Sequence, residues 1–301
     1  MNSTSEQQDA QHLRMTTAPV PGLILSLSVP SIITCIITSV YNMADTFFVA
    51  QLGTAAVAAV GVVFSISSVL SALGFWMGTG GSSLVSLYLG AREKEKAHCA
   101  ASTGFFLALG LGGVIAAGGL LALEPLMRLL GSTDTILPEA EAYAVPILLA
   151  APFQCSSLAL AQCLRAEGKS KESMAGQLAG GLLNIVLDPL FIYTLGMGIR
   201  GAGAATALSQ VMVWAALLWF YVRGKTSVRI SVRQVARTPR MVKLIFTTGF
   251  PSLCRHCGNA LATIVLNRAA GGFGDAAIAA FSIASRVSGL ALSVSIGFVQ
   301  G

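Results

Sequence analysis

Residues 54–88 read TAAVAAVGVVFSISSVLSALGFWMGTGGSSLVSLY and contain no charged side chain. A helix that spans a membrane needs about 20 mostly apolar residues, so this stretch can cross a bilayer with some tilt. Comparable, mostly apolar stretches recur along the rest of the chain. They cover residues 23–50, 99–123, 142–164, 174–195, 202–222, 242–270 and 276–301. The sequence therefore predicts an all-α, polytopic membrane protein with eight spans in this chain.

The composition agrees with a membrane environment. Of the 301 residues, 54% are hydrophobic and 11% are charged, whereas about 25% of an ordinary soluble domain is charged. This balance excludes a soluble catalytic domain as the main part of the chain. The first 20 residues are polar and contain no short apolar run with a small-residue cleavage site, so we expect no removable signal peptide.

The net charge of +6 is concentrated in alternate loops. Basic residues follow the second, fourth and sixth spans, at Arg92, Lys94, Lys96, Arg165, Lys169, Lys171, Arg223, Lys225, Arg229, Arg233, Arg237, Arg240 and Lys243. The opposite loops contain Arg128, Arg200 and Arg268. Because cytoplasmic loops are enriched in Lys and Arg, the sequence predicts a multi-pass protein of the cytoplasmic (inner) membrane with a cytoplasmic N-terminus. This distribution favours a lipid bilayer over nucleic acid as the partner of the positive charge.

The six cysteines lie in or at the ends of apolar spans, where they suit helix packing. We therefore expect no disulfide framework. Cys254 and Cys257 have zinc-like spacing, but a structural zinc site takes four ligands and no second pair is present nearby. Helix packing is the favoured interpretation of this pair.

The chain contains an internal repeat with a shift of 221 residues. This shift aligns Pro30-Ser31 with Pro251-Ser252, and the Gly-x-Ala-Ala-x-Ala-Ala hairpin at Gly53 with the one at Gly274. Duplicated halves are common in transporters. We therefore predict a cytoplasmic N-terminal segment (1–22), a six-helix N-terminal lobe (23–222), a basic cytoplasmic linker (223–240) and the first two helices of a repeated C-terminal lobe (241–301). The second lobe is incomplete in this division, so we expect the chain to be a fragment of a twelve-helix protein.

Two aspartates interrupt the apolar spans. A carboxylate near the bilayer centre costs about 2.5–3.5 kcal/mol, so Asp45 and Asp188 are candidate functional residues. Both spans run outward, which predicts a similar depth for the two acids. Asn184 lies one helical turn before Asp188, and Pro189 leaves the carbonyl of Ile185 without its helical donor. Such oxygens could bind sodium or a proton; the alternative is that each aspartate caps a helix end.

Three further residues leave alternatives open. Pro30 lies fifteen residues before Asp45 and should kink the first span, either as a conformational switch or as a static bend. Arg255 and Arg286 are basic residues within the second lobe. They either meet an acidic partner elsewhere or extend their charged ends to the membrane surface.

At this point the sequence resembles the multidrug and toxic compound extrusion (MATE) family, over nearly the whole chain after Pro21. The resemblance depends on Pro30 and on residues 42–46 (NMADT), 53–56 (GTAA), 164–168 (LRAEG), 184–189 (NIVLDP) and 201–206 (GAGAAT). It implies a twelve-helix transporter that exports organic, often cationic, compounds in exchange for sodium or protons. It also implies a cation site formed by Asp45, Asp188, Asn184, Tyr143 and Thr206, in which Asp45, Asp188 and Asn184 could bind sodium.

The sequence departs from the family in two places. Some relatives carry a glutamate on the seventh span, where this chain has no acid between Lys243 and Gly274. Relatives often carry an asparagine on the fourth span, where this chain has Ser156, Ser157 and Gln162. The first lobe is therefore the only visible location for coupling.

We interpret the chain as a cation-coupled antiporter that exports cationic or amphipathic drugs by alternating access. We expect a monomer that is not an enzyme and needs no cofactor beyond its coupling ion. A flippase for a lipid-linked precursor is the alternative within the superfamily, and it should have a strongly basic central cavity. A membrane enzyme or receptor would need a catalytic constellation or a large soluble domain, and the sequence offers neither.

Overall fold

The computed structural model describes residues 19–224, 226–235, 239–271, 292 and 295–298. Within these ranges the protein is helical and contains no β-strand. Six of its helices are long and apolar enough to cross a membrane. The all-α, polytopic prediction is therefore confirmed.

Eight α-helices follow one another along the described chain, with bounds α1 Val20–Ala50, α2 Thr54–Gly90, α3 Lys94–Leu121, α4 Leu123–Leu129, α5 Leu137–Ala166, α6 Ser170–Pro189, α7 Gly198–Val222 and α8 Pro239–Gly271. A π-helical turn, Leu190–Thr194, extends α6, and a 3₁₀ turn, Val232–Gln234, precedes α8. The six membrane-length helices are α1, α2, α3, α5, α6 with its extension, and α7. The eighth predicted span lies mostly outside the described residues.

Several helices begin earlier than the sequence predicts. The starts of α3, α5, α6 and α7 precede the predicted spans at 99, 142, 174 and 202 by four or five residues. The added first turns contain polar residues such as Lys94, Glu139 and Glu172. Apolar periodicity marks the part of a helix inside hydrocarbon, whereas hydrogen bonding continues into the polar region beyond it.

Helices α2 and α5 form the centre of the first lobe. They pack against each other along much of their length, and α3 and α7 pack against α5 on either side. Helix α6 packs against α7, and α1 makes its main contact with α6. This arrangement places α1 at the edge of the lobe, where it can approach the second lobe.

Helix α8 packs directly against α2. A Cβ on Gly249 would overlap the carbonyl oxygen of Trp76, and one on Gly80 would overlap the carbonyl oxygen of Ile245. The indole Nε1 of Trp76 donates a hydrogen bond to the Phe246 carbonyl at 3.0 Å. Without side chains at the two glycines the helix backbones can approach closely.

The segment after α7 is bonded to the first lobe. The backbone N–H of Arg229 donates to His98 Nδ1 at 3.1 Å. The Ser102 hydroxyl donates to the Arg229 carbonyl at 3.3 Å and accepts from the Ser231 N–H at 3.2 Å. The predicted linker is therefore held along α3 rather than extended into solvent.

Glu167 completes this attachment from the loop between α5 and α6. Its carboxylate is buried, accepts a hydrogen bond from the Ser227 N–H, and lies 3.6 Å from Lys169 Nζ. Burial raises the pKa of the Glu167 carboxyl to about 7, although Lys169 and the Ser227 and Val228 N–H groups act in the opposite direction. The glutamate of the LRAEG motif thus joins two loops at one end of the lobe.

Glu167 should make the stability of the protein depend on pH. The unfolded carboxyl has its ordinary pKa of 4.5, so between about pH 4.5 and 7 only the folded protein holds the proton. The contribution of Glu167 is complete below this window and decreases as pH rises through it, by about 1 kcal/mol per pH unit. The apparent unfolding temperature of the wild type, relative to Glu167→Gln, should therefore fall from about pH 5 to 7 and level off above that.

The matched control is Glu93→Gln, which removes an exposed glutamate paired with Lys96 on the surface. This variant should follow the wild type at every pH. Parallel curves for Glu167→Gln and the wild type would contradict the role assigned to Glu167.

Candidate functional site

Asp45 on α1 is hydrogen-bonded to α5. The hydroxyl of Tyr143 donates to Asp45 Oδ2 at 3.2 Å, across 98 positions of sequence. Tyr143 is buried, with 4% of its surface exposed. The contact directs the carboxylate of α1 toward α5 of the first lobe.

Asp188 on α6 is fully buried beside Asn184. The Asn184 side-chain nitrogen donates to Asp188 Oδ1 at 3.2 Å, and the two residues are 2% and 0% exposed. The sequence analysis expected Asn184 to offer its oxygen to a common ligand. In the structure its nitrogen fixes the carboxylate of Asp188, while its oxygen stays available.

The two aspartates belong to one cluster. Asp45 lies close enough to Asp188 to interact with it electrostatically, and Tyr143 lies near both carboxylates and beside the Thr206 hydroxyl. The structure thus brings together all five residues named for cation coupling, from α1, α5, α6 and α7. Pro30 lies apart, within the first half of α1.

Three oxygen atoms of this cluster are shielded from solvent and accept no hydrogen bond from the described residues: Asp45 Oδ1, Asn184 Oδ1 and Asp188 Oδ2. Nor does any described Lys, Arg or His lie within 4.0 Å of either carboxylate. Two buried carboxylates without a counter-charge are costly. A proton or a hard cation, which prefers oxygen ligands, would relieve this cost.

The cluster also decides between the two interpretations of the aspartates. Asp45 lies within α1, five residues before the helix ends at Ala50. Asp188 is followed by Pro189 and by the π-helical turn that continues α6. Neither aspartate stands at a helix N-terminus, so the capping alternative is wrong.

The π-helical turn after Pro189 is a feature that the sequence analysis missed. Its backbone bond runs from the Leu195 N–H to the Leu190 carbonyl, at 2.9 Å. The turn directs the hydroxyl of Tyr193 to the Phe48 carbonyl at 2.8 Å, and the two rings pack edge to face. This contact joins the ends of α1 and α6, and π turns of this kind are frequent at functional sites.

Pro30 lies inside α1, which continues through it without interruption. The Thr34 hydroxyl donates to the Pro30 carbonyl at 2.9 Å. Near Pro30, the Ser28 hydroxyl donates to the Phe298 carbonyl at 3.2 Å. The proline region of α1 therefore contacts Phe298, in the predicted second lobe, whereas the aspartate region contacts the first lobe.

A cavity of about 960 Å³ lies beside the cluster, between the first-lobe helices and α8. Tyr41, Asn184 and Thr206 line the part nearest the aspartates. Arg165, Arg255 and His256 also line it, and none of its described lining residues is Asp or Glu. The sequence analysis placed Arg165 in a loop, but it is in the last turn of α5 and faces the cavity.

The cysteines do not form a second site. Cys155 and Cys163 are buried, as helix packing requires, whereas Cys254 and Cys257 are exposed on α8. The packing interpretation is therefore supported for the first pair and stays a prediction for the second. Among the residues described, no three His, Cys, Asp or Glu side chains are grouped for metal binding.

The position of Tyr143 depends on close contact between α5 and α7. A Cβ on Gly203 would lie 2.7 Å from the Tyr143 carbonyl oxygen, which is closer than real carbon atoms approach. Gly203→Ala should push the helices apart, move the Tyr143 hydroxyl away from Asp45, and destabilise the protein by about 1–3 kcal/mol. A lower unfolding temperature in detergent would measure this loss.

The control is Gly110→Ala on α3, where an added Cβ would meet no atom within 4 Å. Alanine favours a helix over glycine, so this variant should be as stable as the wild type or more so. Equal stability of both variants would show that the α5–α7 contact is not tight.

Comparison with known proteins identifies the family. A profile described as MatE matches residues 30–190, more than half of the chain. The chain is 29% identical over 279 residues to the multidrug export protein MepA of Staphylococcus saprophyticus, a match that covers 92% of this chain and 62% of MepA.

Solved structures agree. A multidrug resistance MATE family transporter of the MOP superfamily, in an outward-facing conformation, has a TM-score of 0.87 and 33% identity, covering 92% of this chain and 62% of that one. A MATE protein in complex with MaD3S has a TM-score of 0.88 and 33% identity, covering 92% and 63%. The chain thus spans slightly less than two thirds of the length of these relatives. The predicted resemblance is confirmed, and the chain belongs to the MatE family of membrane transporters.

Proposed function

We propose that the protein exports amphipathic organic compounds, cationic ones included, in exchange for sodium or protons. The observation that supports this most directly is the pair of half-buried Asp45 and fully buried Asp188, whose cluster retains three shielded oxygens without a hydrogen-bond donor among the described residues. The family assignment and the multidrug export named for MepA support a transport role. The adjoining cavity of about 960 Å³ is the size of a site for a drug-like molecule.

Binding of the coupling ion changes the charge of the cluster. Without a cation, Asp45 and Asp188 are two negative charges in an apolar surrounding, and they attract a positive group in the cavity. A proton or sodium ion neutralises one of them and weakens that attraction. Binding of the coupling ion and binding of a cationic group therefore exclude each other, as exchange transport requires.

The direction of transport follows from the predicted orientation. If the cluster lies in the outer half of the membrane, cations reach it from outside. A membrane potential of 100 mV, negative inside, adds about 2.3 kcal/mol for each positive charge that moves inward. This energy is available to move a substrate outward against its gradient.

Helix α1 is the element that can transmit the change. Its Asp45 end is bonded to Tyr143 and, through Phe48, to Tyr193, while the region around Pro30 touches Phe298. A proline within a helix removes one backbone hydrogen bond and makes the helix easier to bend there. A change in the charge of Asp45 would thus alter its contact with Tyr143, and a bend at Pro30 would carry the change to the contact with Phe298.

Both sodium and a proton suit the cluster. Asp45, Asp188 and Asn184 offer oxygens from three residues, which a hard cation prefers, and either carboxylate alone can bind a proton. We propose the first lobe as the coupling site in each case.

A flippase for a lipid-linked precursor is the second candidate, and one observation favours it. A flippase should have a strongly basic central cavity, and Arg165, Arg255 and His256 line this one. A basic cavity suits the phosphate groups of such lipids. The acidic cluster beside it favours the cation-coupled exporter.

Purified protein in liposomes tests the coupling assignment. Asp45→Asn and Asp188→Asn should each reduce substrate export to the level of liposomes without protein, because the amide neither binds a proton nor supplies a negative ligand. Sodium and pH gradients are imposed separately, and the gradient that drives wild-type export identifies the coupling ion.

The matched control is Asp134→Asn, which changes an exposed aspartate paired with Arg128 in the loop after α4. This variant should export at the wild-type rate. Full export by Asp45→Asn or Asp188→Asn would refute the coupling assignment, and export of labelled lipid without either gradient would favour the flippase.

A further inference from the structure

The charged residues of the cavity have one sign in the described structure. Arg165 and Arg255 line it together with His256, and no described lining residue is acidic. Asp45 and Asp188 are not among the lining residues; only their neighbours Tyr41, Asn184 and Thr206 reach the cavity. The cavity and the aspartate cluster are therefore adjacent regions of opposite charge.

Arg165 is held in place by neutral groups. Its Nε and Nη2 donate to the Gln162 side-chain oxygen at 3.2 and 3.0 Å, and its Nη1 donates to the Ser173 hydroxyl at 3.3 Å. Three of its five N–H groups are thus used. One N–H on each Nη atom has no acceptor among the described residues, so the guanidinium can donate two further hydrogen bonds to an anionic group.

In the part of the chain that the structure describes, no counter-charge compensates the guanidinium. Within the described ranges no carboxylate lies within 4.0 Å of Arg165 or Arg255. Arg165 is half-buried at the end of α5, where a charge without a partner is costly. An anionic group in the cavity would offset this cost, whereas a purely cationic ligand would increase it.

His256 provides a second polar group on the wall formed by α8. Its ring stacks on Phe75, with centroids 5.0 Å apart and planes at 18°. Its Nε2 is shielded from solvent and has no hydrogen-bond partner among the described residues. The stacking fixes the ring in the cavity wall, and Nε2 can donate to an oxygen of a ligand.

We infer that the cavity binds the anionic group of an exported amphipathic compound, with the free edge of the Arg165 guanidinium as its main partner and His256 as a second donor. This inference rests on the proposed export function and narrows its substrate class to compounds that carry a carboxylate or a similar acid. Zwitterions fit best, because their cationic group can lie toward the aspartate cluster. A lipid diphosphate has the same anionic chemistry, so the test separates the two sources.

Equilibrium binding to the purified protein, without any ion gradient, tests the inference independently of transport. The probes are dansylglycine and dansylglycinamide, which differ only in the carboxylate. The wild type should bind the acid about tenfold or more tightly than the amide, because hydrogen bonds to charged groups are strong. Equal affinities would overturn the inference.

Variants then assign the partner. Arg165→Gln should bring the two affinities to within about twofold by weakening the acid and leaving the amide unchanged. Arg165→Lys keeps the charge but not the paired donors, so its preference should be intermediate. The control Arg200→Gln changes an exposed arginine of α7 outside the cavity and should keep the wild-type preference.

His256→Phe keeps the stacking on Phe75 and removes the donor, so it tests the site even where Arg165→Gln fails to fold. It should reduce the preference for the acid without affecting the amide. A full preference in both Arg165→Gln and His256→Phe would overturn the inference by moving the anion elsewhere.

Competition against dansylglycine distinguishes the sources of the anion. Farnesyl diphosphate and farnesol are each used to displace bound dansylglycine. The ratio of their affinities gives the effect of the diphosphate group, as the ratio for dansylglycine and its amide gives the effect of the carboxylate. If the diphosphate increases affinity by a smaller factor than the carboxylate does, the result supports an exported organic acid. If the diphosphate increases affinity by the larger factor, the assignment to an organic acid is overturned in favour of a lipid head group. Selective binding in a wild type that exports nothing would refute the export function and leave the anion site intact.

Discussion

The burial of two carboxylates in a helical lobe constrains the rest of the structure. Asp45 and Asp188 approach each other without a basic partner in the described residues, so their surroundings must supply hydrogen bonds. Tyr143 supplies one and Asn184 another. Tyr143 can do so because Gly203 lets α7 pack against its backbone. The oxygens left over are the chemical basis for exchange, since a site that satisfied every lone pair internally would have no affinity for a coupling ion.

The cavity and the aspartate cluster are complementary. The cluster is acidic, small and enclosed by α1, α5, α6 and α7, whereas the cavity is large and has only basic residues among its described charged lining. Asn184 and Thr206 belong to both. A molecule in the cavity and an ion at the cluster therefore share these two side chains. Through them, binding at one place can change the affinity at the other.

Much of this could be predicted from the sequence, for identifiable reasons. Spans follow from apolar length, and Asp45 and Asp188 stand out because charge is costly in hydrocarbon. Tyr143 and Thr206 came from the family resemblance, since nothing in their own local sequence marks them. The π turn and the contact of Tyr193 with Phe48 were missed because helical periodicity assumes an unbroken α-helix. Arg165 was assigned to a loop because the sequence alone does not distinguish a basic residue in a loop from one in the last turn of a helix that faces a cavity.

The attachment of the segment after α7 has a mechanical consequence. Because Ser227, Arg229 and Ser231 are bonded to Glu167, His98 and Ser102, the tether to α8 begins at Ser231 rather than at Val222. The eight steps from Ser231 to Pro239 reach at most about 28 Å when fully extended, against roughly 60 Å from Val222. The start of α8 must therefore stay within this distance of Ser231, which is bonded to α3. A tether of this length limits how far the first turn of α8 can move from α3.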